Sequence, residues 1–321
     1  MAIDALRAPG EGAHGNGPPA PTEIYTRAVD PRDPKGVAVV GAGRVGTALA
    51  ILLGRAGHSI VAVSGRDQSR ERAARHLPET PFLDAAEAAA RGEIVLLGVP
   101  DDRIAETCET LVESDGIRPG QTVVHLSGST PLRALDAARS VGARPLSLHP
   151  LQTFPDVDAA LARLPGSGIA VTGDDEEDFR LGERLAADAG GRPFRVPDDR
   201  KPLYHAAAVF CSSYLAVVEG VAERLFAAAG VPEARPAMAP LAEATLANVL
   251  RLGPAAAVTG PTARGDTGTI RRNLGALEAE APDTVPAYVA LATAALDLSE
   301  EAGRLGPGDR ARVEEVLDEW R

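Results

Sequence analysis

The sequence predicts an α/β domain on a doubly wound, mostly parallel sheet, followed by an all-α domain. Three observations carry this. Short β-branched runs alternate with helical segments up to residue 196, the pattern of βαβ units. A glycine-rich turn joins the first strand to the first helix. After residue 201 only helical periodicity remains. A chain of 321 residues is long enough for two cores.

Residues 1–35 are rich in Pro and Gly without apolar periodicity and read as a disordered tail. VAVV (37–40) is the first strand; GAGRVG and a helix over 47–57 follow. IVAV (60–63) is the second strand, with helices over 67–77 and 84–92 after it. EIVLLGV (93–99) is continuously apolar, as a strand buried on both faces should be. A helix covers 101–114, and strands are expected at 122–126, 144–148, 168–172 and 193–196. Helices at 131–140 and 176–189 complete a domain over 36–198. The domain over 199–321 holds helices at 204–230, 238–253, 269–280, 284–305 and 308–320, suited to substrate binding or dimerisation.

The net charge of −12 argues against nucleic acid or an anionic membrane as partner. Aromatics are only 3%, so Ala, Leu and Val must build the core. Cys108 and Cys211 make neither a disulfide framework nor a zinc site, and no metal-ligand spacing is present. The N-terminus lacks a signal-peptide pattern, and no apolar run approaches the roughly 20 residues that span a bilayer. A reducing, cytoplasmic location is expected.

Gly41, Gly43 and Gly46 stand in GxGxxG spacing between strand and helix, the context a Rossmann dinucleotide loop requires. Gly41 permits the tight turn, Gly43 a close approach to the pyrophosphate, and Gly46 helix–strand packing. The loop Gly41, Ala42, Gly43, Arg44, Val45, Gly46 then offers free N–H groups to phosphates. The second strand ends in Ser64 rather than an acid, and Arg66 follows, with Arg70 as a second cation. A guanidinium there would pair a 2′-phosphate, which favours NADP(H) over NAD(H). Asp67 is assigned to capping the next helix. Val99 and Pro100 in GVPDD line the cofactor, and Asp101 is read as a helix cap.

Two more strands deliver HLSGST (125–130) and SLHPLQTF (147–154) to the same edge. This places Ser127 at the cofactor and brings His149 and Gln152 toward the substrate. His125 is a weaker candidate because it could lie within its strand. Lys201 and His205 are four residues apart, on one face of a helix start, and would stabilise an alkoxide and donate a proton. Tyr204, adjacent to His205, is expected to point elsewhere. In GPTARGDTGT (260–269), Arg264 would clamp a carboxylate, while Asp266 either joins it or caps the next helix.

GAGRVGTALA, GVPDD, HLSGS, LHPLQTF, LYHAAAVFCSSYL and TGPTARGD together resemble a family of NADP-dependent oxidoreductases. That family joins a Rossmann-like domain to a helical C-terminal domain of unknown function. It is related, more distantly, to ketopantoate reductases, pyrroline-5-carboxylate reductases and 3-hydroxyisobutyrate dehydrogenases. The resemblance implies an NADP-dependent hydride transfer. Bacterial genes of the family often lie near those for pantothenate biosynthesis, which makes 2-dehydropantoate the first substrate to consider. Ser213 stands where the family commonly has Asn, so it would reach substrate with a shorter arm. The relatives' catalytic lysine maps to Lys201, with His205 instead of Asn four residues on.

The expected function is an NADPH-dependent reductase of a small anionic 2-oxo acid, acting as a homodimer. The alternatives are an imine reductase of the pyrroline-5-carboxylate type and a non-catalytic NADP(H)-binding sensor. A nucleotide-sugar or phosphate-binding enzyme on the same fold would instead gather cations at the cleft.

Overall fold

The computed structural model describes residues 33–306 and 308–321. Most of the expected tail lies outside the described residues. The chain divides into two compact units, 1–207 and 208–321. The first unit therefore extends past the expected boundary at 198/199 and takes KPLYHAA with it.

Seven strands appear among the described residues of the first unit: β1 Gly36–Val40, β2 Ser59–Ser64, β3 Ile94–Leu97, β4 Thr122–His125, β5 Arg144–Pro150, β6 Gly168–Gly173 and β7 Arg192–Arg195. They form one sheet in the order β2-β1-β3-β4-β5-β6-β7. All pairings are parallel except β5 with β6. Val63 also donates to Pro81 O (2.9 Å) and accepts from Leu83 N (3.0 Å), a single parallel bridge beside Phe82. Counted as a strand, that segment restores the Rossmann order 3-2-1-4-5-6. Pro81 cannot donate to a ladder, which keeps this strand short.

Alternate residues of the central strands enter two cores. Val37, Val39, Ile94, Leu96 and Val124 join one; Val40, Val95, Leu97 and Val123 join the other. This is the period-2 signature of a sheet covered on both faces. The covering helices are α1 Arg44–Arg55, α2 Asp67–His76, α3 Ala85–Arg91, α4 Ile104–Glu113, α5 Asp136–Ser140, α6 Val157–Arg163 and α7 Glu176–Asp188. Helix α6 was not expected; Asp156 starts it by accepting from Ala159 N at 2.7 Å. Asp67 is the first residue of α2 and not its cap: Arg66 is the cap position, without a side-chain bond.

Helix α8 Lys201–Val209 begins three residues before the expected start at 204 and runs into a π-helical turn, Phe210–Tyr214, then α9 Leu215–Ala228. The helical run Asp198–Ala228 is, by length and composition, long and apolar enough to cross a membrane, with mean hydropathy 1.4 over its most apolar window. This corrects the expectation that no apolar run approaches bilayer length: alanines interspersed with polar residues keep the mean hydropathy high without an unbroken apolar stretch. The second unit continues with α10 Ala234–Leu252, α11 Pro254–Ala257, α12 Thr267–Glu280, α13 Val285–Glu301 and α14 Asp309–Asp318. Ile270, Leu274, Val289, Leu296, Val313 and Leu317 form a core among α12, α13 and α14.

Candidate functional site

The glycine loop sits where strand order reverses between β1 and β3. Gly41 adopts φ +83°, and a Cβ there would meet Val99 Cγ1 at 2.8 Å and the Gly98 backbone at 3.0 Å. A Cβ on Gly98 would lie 2.4 Å from Gly41 O. The ends of β1 and β3 thus interlock through two glycines, with Val99 against the loop. Gly41 N and Ala42 N both donate to Ser64 O, at 3.1 and 2.9 Å, which ties the loop to β2. Arg72 Nη1 donates to Ala42 O at 2.7 Å from α2, a support the sequence reading missed.

Helix α1 starts at Gly43 with no side-chain cap and no acid in its first turn. Its first N–H groups and dipole are free for an anion, with Arg44, Val45 and Gly46 forming that turn. The Ser64 hydroxyl is buried without a hydrogen-bond partner. Arg66 is exposed beside it in sequence. A dinucleotide phosphate and ribose supply the acceptors and donors this loop lacks, so these residues fit such a cofactor. Arg70 instead lies 4.3 Å over the Phe82 ring. Pro100 is exposed and precedes a 3₁₀ turn, Asp101–Arg103.

Beyond β4, the loop 125–130 closes on itself. Ser127 Oγ donates to Asp101 Oδ2 at 2.5 Å and accepts from Thr130 N and Ser129 N at 3.0 and 3.2 Å. The hydroxyl expected at the cofactor is therefore spent inside the protein, and Asp101 is its anchor rather than a helix cap. His125 is fully buried; its Nδ1 accepts from Ser127 N at 3.2 Å and its Nε2 has no partner. Burial first, then the Lys201 and His149 charges, push its pKa down to about 3. It is a neutral core residue.

Lys201 is 2% exposed. Its Nζ donates to Ser127 O at 2.9 Å and Ser147 Oγ at 2.7 Å, joining the ends of β4 and β5. Burial lowers its pKa to about 8, against the attraction of Asp198 and Asp101. The expectation that Lys201 projects into a cleft is corrected: its stem is packed and its ammonium is a bracket.

His149, at the end of β5, meets helix α8. Its Nδ1 lies 2.8 Å from the Tyr204 hydroxyl, and its ring centroid is 6.0 Å from that of His205. Burial, followed by the Lys201 and His205 charges, lowers its pKa to about 4. Tyr204, expected to point away, joins the cluster, and burial raises its pKa to about 12. Gly128 underlies the pair of imidazoles: a Cβ there would be 2.9 Å from His149 Nε2 and 2.8 Å from His205 Cδ2. Gln152 is exposed, its Oε1 accepting from Thr153 N.

The remaining candidates lie in the second unit. Ser213 is exposed in the π-helical turn. Arg264 is exposed on a 3₁₀ turn, Thr262–Arg264. Asp266 caps α12, accepting from Thr269 N at 3.0 Å and Thr269 Oγ1 at 2.7 Å. That occupies the carboxylate considered for substrate. Among the described residues no cluster of metal-ligating side chains occurs.

Comparison with known proteins divides the chain earlier than the compact units do, between residues 150 and 167. Residues 24–150 match the model of a Rossmann-like domain, and residues 167–295 match that of a domain of unknown function, DUF2520. The chain combines a Rossmann-like domain with a DUF2520 domain. A Bacteroides fragilis protein with the provisional name NADP oxidoreductase is 25% identical, with TM-score 0.68 over 82% of this chain and 98% of that one. A Thermotoga maritima protein is 22% identical, with TM-score 0.65 over 83% and 99%. An imine reductase from Myxococcus stipitatus, solved with NAD+, is 17% identical, with TM-score 0.53 over 90% and 99%. The last two likenesses are of fold. A glycerol-3-phosphate dehydrogenase [NAD(P)+] from Pseudoalteromonas translucida is 37% identical over 89 residues, 23% of this chain and 26% of that enzyme. This chain thus spans about a quarter of that curated relative.

Proposed function

We propose that the protein is an NADPH-dependent oxidoreductase that reduces the carbonyl of a small anionic 2-oxo acid. One observation carries the reading. Neutral hydrogen-bond donors on His149 and Tyr204 gather at the end of β5, on the sheet edge where the glycine loop ends β1. Proteins named as NAD(P)-dependent dehydrogenases and reductases share the fold, which supports the class of reaction.

The bound dihydronicotinamide would supply a hydride to the acceptor carbon. The chain must hold the cofactor, polarise the acceptor oxygen and protonate it. Gly41 through Gly46 would hold the pyrophosphate, and Ser64 with Arg66 would receive a 2′-phosphate. His149 and His205 flank the acceptor. Lys201 braces the loop beneath them and lends positive potential to developing negative charge. Val99 and Pro100 wall the cofactor.

The buried ammonium of Lys201 favours a carbonyl over an imine. An iminium group would add a cation beside one already short of solvent. Gln152, in the first unit, is a further contact to the acceptor in this reading. The first acceptor to test is 2-dehydropantoate. A second copy of the chain covers the exposed apolar side chains Phe210, Val217, Val218, Leu241, Leu246 and Leu250. Light scattering checks this; a monomer that floats with lipid vesicles would contradict it. Turnover of NADPH with 2-oxo acids but not with cyclic imines tests the substrate class. The reverse order of rates would favour the imine reading, and NADPH binding without turnover the sensor reading.

A further inference from the structure

Tyr204 and His149 are 55 residues apart in the chain, yet the hydroxyl and Nδ1 meet at 2.8 Å with the rings edge to face at 85°. The other ring nitrogen, Nε2, has no hydrogen-bond partner among the described residues. Unlike the Nε2 of His125, it is not sealed from solvent. It lies at the Gly128 surface beside His205, where a Cβ would stand 2.9 Å away.

A neutral imidazole can present a lone pair or an N–H there, and the partner at Nδ1 decides which. A phenol has one proton to place, and Nδ1 is the acceptor it faces. Burial first, and then the Lys201 charge, disfavour a second proton on the ring. We propose that Tyr204 is a positioning residue that donates its hydroxyl to Nδ1 of His149, so that the Nε2–H of His149 is the donor offered to the acceptor oxygen.

This rests on the oxidoreductase reading. When the acceptor carbon gains a hydride, its oxygen becomes an alkoxide. The Nε2 proton passes to that oxygen and the phenolic proton to Nδ1; water then reprotonates Nε2 and the Nδ1 proton returns to the phenolate, which restores the starting tautomer. The imidazole begins and ends neutral, and one solvent proton is consumed per hydride. An alkoxide is a stronger base than a phenolate, so the relay runs downhill. Two of the three N–H groups of Lys201 already bond Ser127 and Ser147, so the relay assigns the donated proton to His149.

Nitrogen-15 NMR of histidine in the full chain reads the tautomer without cofactor or substrate, and H149N identifies the His149 signals. We expect Nε2 protonated and Nδ1 unprotonated in the parent protein. Tyr204→Phe keeps the ring and removes the proton, and should mix the two tautomers. It should also lower kcat at least tenfold while leaving KM for NADPH unchanged. A protonated Nδ1 in the parent, or an unchanged tautomer in Y204F, would overturn the assignment. NADPH binding is measured separately, so a failed relay with intact binding leaves the oxidoreductase reading standing.

Discussion

Nζ of Lys201 lies 2.9 Å from the carbonyl oxygen of Ser127, 74 residues earlier in the chain. A lysine at the start of a helix thus pins the loop after a central strand. Removing it should act on the loop and on the charge felt by His149. Lys201→Met, of similar length, keeps the packed stem but leaves Ser127 O and Ser147 Oγ without that donor, a stability loss of about 1–3 kcal/mol. The His149 pKa should rise from about 4 toward its ordinary value, since the Lys201 charge is its second depressing cause after burial. An NMR titration of the variant checks this; no upward movement would show that the two groups do not interact.

Gly128 lets that loop pass close to the two imidazoles. Gly128→Ala forces a methyl group within 3 Å of both rings. We expect a stability loss of about 1–3 kcal/mol, typical of overpacking, and turnover reduced at least tenfold with dinucleotide affinity unchanged. Thermal melting and cofactor titration together check it. Full activity in G128A would mean that His149 and His205 do not frame the acceptor.

Arg66 is exposed with no ion pair among the described residues, two positions after Ser64, whose hydroxyl is unpartnered. Charge-assisted hydrogen bonds contribute about 1.5–3 kcal/mol, or about ten- to a hundredfold in Kd. Arg66→Glu should weaken NADPH by at least that factor and leave NADH nearly untouched. Equal weakening of both would place the 2′-phosphate elsewhere.

His125 and His149 are held near pKa 3 and 4, whereas an unfolded histidine titrates near 6.5. Between pH 6.5 and 4 the unfolded chain binds more protons, so stability falls as pH drops through that window. Each ring contributes at most about 1.4 kcal/mol per pH unit. Lys201 works at the other end: its folded pKa of about 8 lies below 10.5, so stability rises with pH between those values. Urea unfolding of the parent and H149Q from pH 7 to 4.5 checks the acid limb. The variant should show the shallower slope, and identical slopes would contradict the assignment.

The seven strands were legible because each is a short β-branched or apolar run bounded by turn residues, and GAGRVG marked the crevice. The bridge at Phe82 was not legible, since a one-residue pairing leaves no periodicity. Helix α6 was hidden by its length of seven residues. The cluster was half legible. Lys201 and His205 share a face by i,i+4 spacing, but i,i+3 puts Tyr204 on that face too. Adjacency to His205 was a poor reason to send it away, because one ring laid over the helix touches both neighbours. The Asp101–Ser127 bond joins loops of different strands, and nothing local to GVPDD announces it. Burial of Lys201 was equally silent, since it depends on Ser147 and Ser127 closing around the ammonium.

The central claim is hydride transfer from NADPH at the edge formed by the glycine loop and His149. The most direct measurement is NADPH oxidation by the purified chain across a panel of small 2-oxo acids that includes 2-dehydropantoate, with H149Q beside the parent. We predict turnover of at least one member by the parent and at least a hundredfold less by H149Q. Parent and variant consuming NADPH equally, or neither consuming it with any acceptor, would contradict the account.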